Sequence, residues 1–227
     1  KVNGYSFLEA VETIIGHTAI QAPVYEKPQL KEENKPLLLP EKCASNRVIT
    51  EYLFGRGIDF EIINYCISND LIFESLPYHN VVFVGYDEKK EPKYAAYRST
   101  NKRRIMGDCS GSKKDYSFRL GKENLEEVHL FECAIDLLSY ATLAKLNGQD
   151  WKEMSFVSLS GVYSPAKKIE DSKVPIALEK YLGSNPSVRK IRIHFDNDIA
   201  GRKAAQTLKI ILPDKYEIVD EPPKAGK

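Results

Sequence analysis

Two short acidic clusters carry the chemistry open to this sequence. Glu132 and Asp136 stand four residues apart, and Asp196 and Asp198 frame the segment Asp196-Asn197-Asp198-Ile199-Ala200-Gly201. Carboxylates are hard oxygen donors. Magnesium takes oxygen ligands at about 2.0–2.1 Å in an octahedron and keeps several of its waters, so two or three carboxylates are enough to hold it. A divalent cation held this way serves reactions at phosphate. Each cluster also has a plainer reading, because an acid ahead of a helix is often its N-cap, and Asp198 suits a helix beginning near Ile199. Gly201 would let that helix start pack closely on whatever lies beneath it.

A second feature is electrostatic. Between Lys89 and Arg119 there are ten Lys or Arg and three acids, in a chain of 227 residues whose net charge is only +1. Such a run is either a solvated loop face or a footprint for phosphates. The four cysteines, at 43, 66, 109 and 133, form no Cys-x-x-Cys pair, so the expectation is no zinc within this chain and scattered buried thiols instead. His129 and His194 fall inside apolar runs and read as core or surface residues rather than ligands.

The elements that must position these groups follow from periodicity. From about residue 126 the texture alternates: a strand over 128–131, a helix over 135–146, a strand over 155–159, a helix over 175–182, a strand over 191–195, a helix over 199–211 and a closing strand over 216–219. That alternation predicts an α/β fold with a parallel sheet flanked by helices. In such sheets functional side chains gather at the carboxyl ends of strands, which is where Glu132 and Asp196 fall. Upstream, 46–54 and 59–67 read as two short helices, with Asp59 capping the second. Residues 80–86 and 93–98 read as a β-hairpin around a polar turn, followed by a turn over 107–114 and a short strand over 116–120. A helix is expected over 5–16, with Ser6 and Glu9 as a capping box, and residues 21–40, with four prolines, read as a linker. The expected division is 1–40, helix and Pro-rich linker; 41–125, a smaller α+β domain with a β-hairpin; and 126–227, the α/β domain. No apolar run of about 18 residues appears, so no membrane span is expected. The start at Lys1 suggests a piece of a longer chain, and a cytoplasmic setting is the default.

The segments Phe131-Glu132-Cys133-Ala134-Ile135-Asp136 and His194-Phe195-Asp196-Asn197-Asp198-Ile199-Ala200-Gly201 resemble the two signature motifs of the Toprim domain, with Cys133 where many members have Gly. The glycine-containing strand end Ser158-Leu159-Ser160-Gly161-Val162 is similar to a third motif of that domain. Upstream, Arg56-Gly57-Ile58, Asn80 to Asp87, Gly111-Ser112-Lys113-Lys114 and Tyr116-Ser117-Phe118 resemble an uncharacterised domain fused directly to a primase-type Toprim in Gram-positive mobile-element and plasmid proteins.

The resemblance implies a Toprim-type fold in which Glu132, Asp136, Asp196 and Asp198 hold Mg2+, with Mn2+ as a substitute, and in which Glu132, Asp196 and Asp198 are catalytic. It implies primase-like nucleotidyl transfer on single-stranded DNA from nucleoside triphosphates, in plasmid or mobile-element replication or transfer, alongside a helicase or relaxase. Arg98, Arg103, Arg104, Lys113 and Lys114 are then the candidates for nucleotide and template contacts. In some Toprim enzymes the Glu is instead a general acid or base. A Toprim nuclease and a non-catalytic DNA-binding replication module remain alternatives. A topoisomerase would need a nucleophilic Tyr on a further domain, and a haloacid-dehalogenase-type phosphatase a Thr or Val in the pattern around Gly201 together with a separate Lys-Asp motif.

Overall fold

The computed structural model describes residues 35–161, 163–166 and 168–223. The helix expected over 5–16 and the linker up to residue 34 lie outside the described residues, as do 224–227. Among the described residues no helix is long and apolar enough to cross a membrane.

Two sheets organise the described chain. The first is antiparallel, with strands in the order β1 (Ile72–Ser75), β2 (Asn80–Tyr86), β3 (Pro92–Arg98) and β4 (Met106–Asp108). Helices α1 (Arg47–Gly55) and α2 (Phe60–Ser68) precede it. As expected, Asp59 caps α2, its carboxylate accepting from the Glu61 amide at 2.9 Å. The β2–β3 hairpin closes through the Asp87–Glu91 turn, where the Asp87 carboxylate accepts from the amides of Lys89 and Glu91. Two strands escaped the sequence reading. In β1 all four residues are buried, with Glu74 breaking the apolar run, and β4 looked like a glycine-bearing turn.

The second sheet has the order β5 (Arg119–Gly121), β7 (Ser155–Ser158), β6 (Glu127–Phe131), β8 (Lys190–Ile193), β9 (Glu217–Asp220). Its pairings β6/β7, β6/β8 and β8/β9 are parallel, as the strand-helix alternation predicts. The exception is β5, which joins the edge antiparallel to β7; an antiparallel edge on an otherwise parallel sheet is common. The crossovers are α3 (Ala134–Leu146), α4 (Ile176–Ser184) and α5 (Ile199–Ile211).

Strand alternation splits the core across the second sheet. Val128, Leu130, Val157, Ile191 and Ile193 face α4 and α5, where Leu178, Tyr181, Ala205 and Leu208 complete one cluster. Phe131 and Phe156 point the other way and join Ile135 and Leu138 of α3, Ile62 and Ile63 of α2, and Val81 and Phe83 of the first sheet. One continuous apolar cluster therefore packs both sheets together. At about 25 cal/mol per Å2 of buried apolar surface, this is the main term fixing them relative to each other. Backbone contact adds to it: a Cβ on Gly85 of β2 would stand 1.7 Å from the Tyr116 carbonyl oxygen, so only glycine lets that segment cross. Asp59 and Glu61 of α2 also pair with Lys145 of α3 at 2.7 and 2.9 Å.

Within this core His129 and His194 stack, ring centroids 5.1 Å apart and planes 7° from parallel, with His129 Nδ1 and His194 Nε2 at 2.9 Å. They are 4% and 8% exposed, core residues as expected. Burial pushes both imidazoles down to about 4, helped in His129 by its neighbour His194. An unfolded chain takes up these protons first, near pH 6.5. The stability contributed by keeping the pair neutral is therefore fully present above pH 6.5 and is lost as pH falls towards 4. Thermal midpoints should fall across that window, and His129→Gln, which cannot take up the proton, should flatten the fall. A natural chain whose midpoint is level from pH 6.5 to 4 would contradict this.

Candidate functional site

The parallel pairing sets three strand ends side by side. Leu130 is in register with Ile193, and Phe131 with Ser158, so the residues that follow emerge together at one edge of the sheet. The Leu159 amide donates to the Phe131 carbonyl at 2.8 Å and the Gly161 amide to the Glu132 carbonyl at 2.9 Å. Strand β8 ends at Ile193 rather than at Phe195 as expected. Its partner β6 runs out where α3 begins, so 194–198 leave the ladder as a loop. Phe195 turns into the core, and the Asp196 amide donates to Glu132 Oε1 at 3.2 Å.

Glu132 is 7% exposed. Its burial, reinforced by the charges of Asp196, Asp136 and Asp198, holds its carboxyl above the usual range, although the Asp196 amide works against the shift. Partial burial and the charges of Asp136 and Asp198 likewise raise Asp196, with Arg202 opposing. Asp198 has a second task, since one of its oxygens accepts from the Gly201 amide at 2.8 Å and caps α5. The capping reading of Asp198 is therefore met. Asp136 lies in the first turn of α3. The charges of Asp136 and Asp198 bear on both Glu132 and Asp196, an arrangement that suits a hard cation retaining its waters.

Arg202 is the residue that sequence reasoning missed. Its guanidinium donates to the Phe195 carbonyl at 2.7 Å, reaches the Asp196 carbonyl at 3.3 and 3.4 Å, and pairs with Asp220 of β9 at 2.6 Å. It braces the loop that carries Asp196 and Asp198. The available signal was its position in the first turn of α5, four residues after Asp198, on the side facing that loop. Arg202 donates to carbonyls and to Asp220, not to the carboxylate oxygens of Glu132, Asp196 or Asp198, and its charge only partly offsets the rise of the Asp196 carboxyl. The donor set therefore fits a divalent cation.

Beside this edge lies a cleft of about 290 Å3 between the two sheets. Phe83, Tyr94 and Tyr97 line its apolar side, Cys133 and Ala134 follow directly from Glu132, and Ser158, Ser160 and Gly161 belong to the β7 end. Two of the five basic candidates are on its wall, Arg98 and Lys114. Arg98 donates to the Tyr52 hydroxyl at 3.1 Å. Lys114 Nζ stands 3.2 Å from Asp108 and 3.4 Å from the Ser160 carbonyl. Lys113, Arg103 and Arg104 are exposed and do not line this cleft; Arg103 and Arg104 ride the loop between β3 and β4.

Comparison with known proteins matches the architecture. Residues 51–124 match the family described as Protein of unknown function (DUF3991), and residues 129–224 match Toprim-like. No curated protein matches the chain. Among solved structures, the Escherichia coli primase catalytic core superposes at TM-score 0.50 with 11% identity, over 80% of this chain and 66% of that one. The zinc-binding and RNA polymerase domains of the Aquifex aeolicus primase give TM-score 0.50 and 17% identity, over 81% of this chain and 51% of that one. The primase fragment of the bacteriophage T7 primase-helicase gives TM-score 0.49 and 18% identity, over 73% and 62%. The chain thus spans about half to two thirds of the length of these structures. It carries a DUF3991 domain followed by a Toprim-like domain, in the fold of DNA primase catalytic cores.

Proposed function

We propose that this chain performs primase-like nucleotidyl transfer on single-stranded DNA, dependent on Mg2+ or Mn2+, in plasmid or mobile-element replication or transfer. The observation that carries the proposal is the junction of Glu132 and Asp196 at neighbouring strand ends. There, burial and the charges of Asp196, Asp136 and Asp198 raise the Glu132 carboxyl, and desolvation with the charges of Asp136 and Asp198 raises that of Asp196 against the opposing charge of Arg202. A magnesium ion bound by Glu132, Asp196 and Asp198, with Asp136 beside them, would neutralise phosphate charge and favour deprotonation of the attacking hydroxyl. In the reaction a 3′-hydroxyl oxygen forms a bond to the α-phosphorus, the bond to the β-phosphate breaks, and pyrophosphate leaves. Arg202 holds the Asp196–Asp198 loop in place. Arg98 and Lys114 meet the triphosphate from the cleft wall. Lys113, Arg103 and Arg104 follow the template strand by charge alone. A cytoplasmic setting with a helicase or relaxase as partner belongs to the same proposal.

The test is incorporation of labelled nucleoside triphosphates on single-stranded DNA with and without Mg2+. Metal-dependent oligomer synthesis is expected. Metal-dependent release of DNA fragments without incorporation would instead make this a Toprim nuclease, and neither activity would leave a DNA-binding module. Lys114→Met should raise the KM for nucleotide about 10-fold, the loss of roughly 1.4 kcal/mol from one charged hydrogen bond. The turnover number should hardly change, because Lys114 touches substrate phosphate and not the carboxylates; nucleotide titrations at saturating template decide it.

A further inference from the structure

Among the described residues, one set of three metal-ligating side chains has donor atoms all within 4.8 Å of one another: Cys43, Glu74 and His79. It belongs to the first sheet and owes nothing to the Toprim-type carboxylates. We propose that it is a zinc site that clamps the segment before α1 to the turn after β1. The expectation of no zinc rested on the absence of local Cys-x-x-Cys pairs. These ligands are instead 31 and 5 residues apart in sequence, and only the fold brings them together.

The backbone around each ligand is pinned before any metal arrives. The Cys43 amide donates to the Glu74 carbonyl at 2.8 Å, and the Leu76 amide to the Glu41 carbonyl at 2.8 Å. The His79 amide donates to the Ser75 carbonyl at 2.8 Å, and the His79 carbonyl accepts from Thr100 Oγ1 at 3.0 Å. His79 holds φ at +53°, a left-handed conformation uncommon for a non-glycine residue. Glu74 is 1% exposed, and its two oxygens have different duties. Oε2 accepts from the Val48 and Ile49 amides at 2.9 and 3.2 Å, which caps α1, while Oε1 faces His79 Nδ1 at 2.5 Å. Asn46 Oδ1 in turn accepts from the Glu74 amide at 2.8 Å.

The chemistry of the set favours zinc. A thiolate, an imidazole and a carboxylate are its usual donors, at about 2.3, 2.0–2.1 and 2.0–2.2 Å, in a tetrahedron whose fourth position a water can fill. Magnesium and calcium avoid sulfur. Thiolate and carboxylate together cancel the ion's charge, so no net charge is left next to the buried Glu74. His79 is half-exposed and Cys43 partly so, which gives the ion a path in. The competing arrangement is a Glu74–His79 ion pair with Cys43 as a bystander.

Co2+ titration of the chelator-treated full chain separates the two, because sulfur bound to cobalt gives a near-ultraviolet charge-transfer band that oxygen-bound cobalt at Glu132 and Asp196 does not. The band is expected at one equivalent of Co2+, and added Zn2+ should abolish it. It should be lost in Cys43→Ser and in His79→Asn, a residue that tolerates the left-handed backbone, and kept in Cys109→Ser. Circular dichroism of the variants confirms their fold. No band in the natural chain, or a band that survives Cys43→Ser or His79→Asn, overturns the site.

Discussion

Replacing Asp196 by Asn, or Glu132 by Gln, should lower nucleotide incorporation by about 10³-fold or more, the effect of losing roughly 4 kcal/mol of transition-state stabilisation. Both substitutions keep size and hydrogen-bonding capacity. The carboxamide of Glu132→Gln can still accept from the Asp196 amide, so the junction between the two strand ends survives and the fold should be retained. Each substitution removes one negative charge from a cluster in which neighbouring acids already push the Glu132 and Asp196 carboxyls upward. Relief of that repulsion should, if anything, raise the thermal midpoint in metal-free buffer. The joint signature is a chain that is as stable as the natural one, or more so, and catalytically inert. Two measurements check it: incorporation on single-stranded DNA and thermal melts in chelator. Activity within a few fold of the natural chain in both variants would remove the metal role from these residues.

Much of this site was legible in the sequence because its signals are local. Strand-helix alternation after residue 126 gives a parallel sheet, and the spacing of Glu132 and of Asp196-x-Asp198-x-x-Gly201 then puts carboxylates at neighbouring strand ends. What stayed hidden is non-local or masked by a conflicting local signal. Strand β1 is four residues long and contains the buried Glu74, whose side chain serves a helix 25 residues upstream. Arg202 looks like one more helix-surface cation until the Phe195 and Asp196 carbonyls are seen beneath it. The basic run could not be sorted by sequence either. Arg98 and Arg103 are five residues apart, yet one ends a strand at the cleft wall and the other sits in an exposed loop. Antiparallel β5 read as a short strand of the 41–125 domain, although its partner, β7, lies more than thirty residues further on.

Gly201 tests how closely the helix start is fitted to the Asp196–Asp198 loop. A Cβ placed there would stand 2.2 Å from the Asp196 carbonyl oxygen and 3.1 Å from the Asp196 backbone nitrogen and carbon, all of them backbone atoms that no rotamer change can move aside. Gly→Ala within a helix ordinarily stabilises by about 0.5–1 kcal/mol. At Gly201 the steric conflict should reverse the sign, because forcing a methyl into filled space costs about 1–3 kcal/mol. Gly183, in α4, supplies the matched control, since nothing lies within 4 Å of where its added methyl would sit and the residue is exposed. Gly183→Ala should therefore raise the thermal midpoint by about 1–4 °C, and Gly201→Ala should lower it by several degrees, given about 2–4 °C per kcal/mol for a chain of this size. The loss of activity in Gly201→Ala should exceed what its stability accounts for. The methyl must push Asp196 away from Glu132 or lift α5 with Asp198, and a displacement of about 1 Å in a positioned group costs on the order of 10²-fold in rate. Incorporation assays run well below the midpoint of each variant separate the two effects. Gly201→Ala with natural activity and an unchanged midpoint would mean that the loop and helix are free to adjust, and that the close approach at Gly201 does not position the carboxylates.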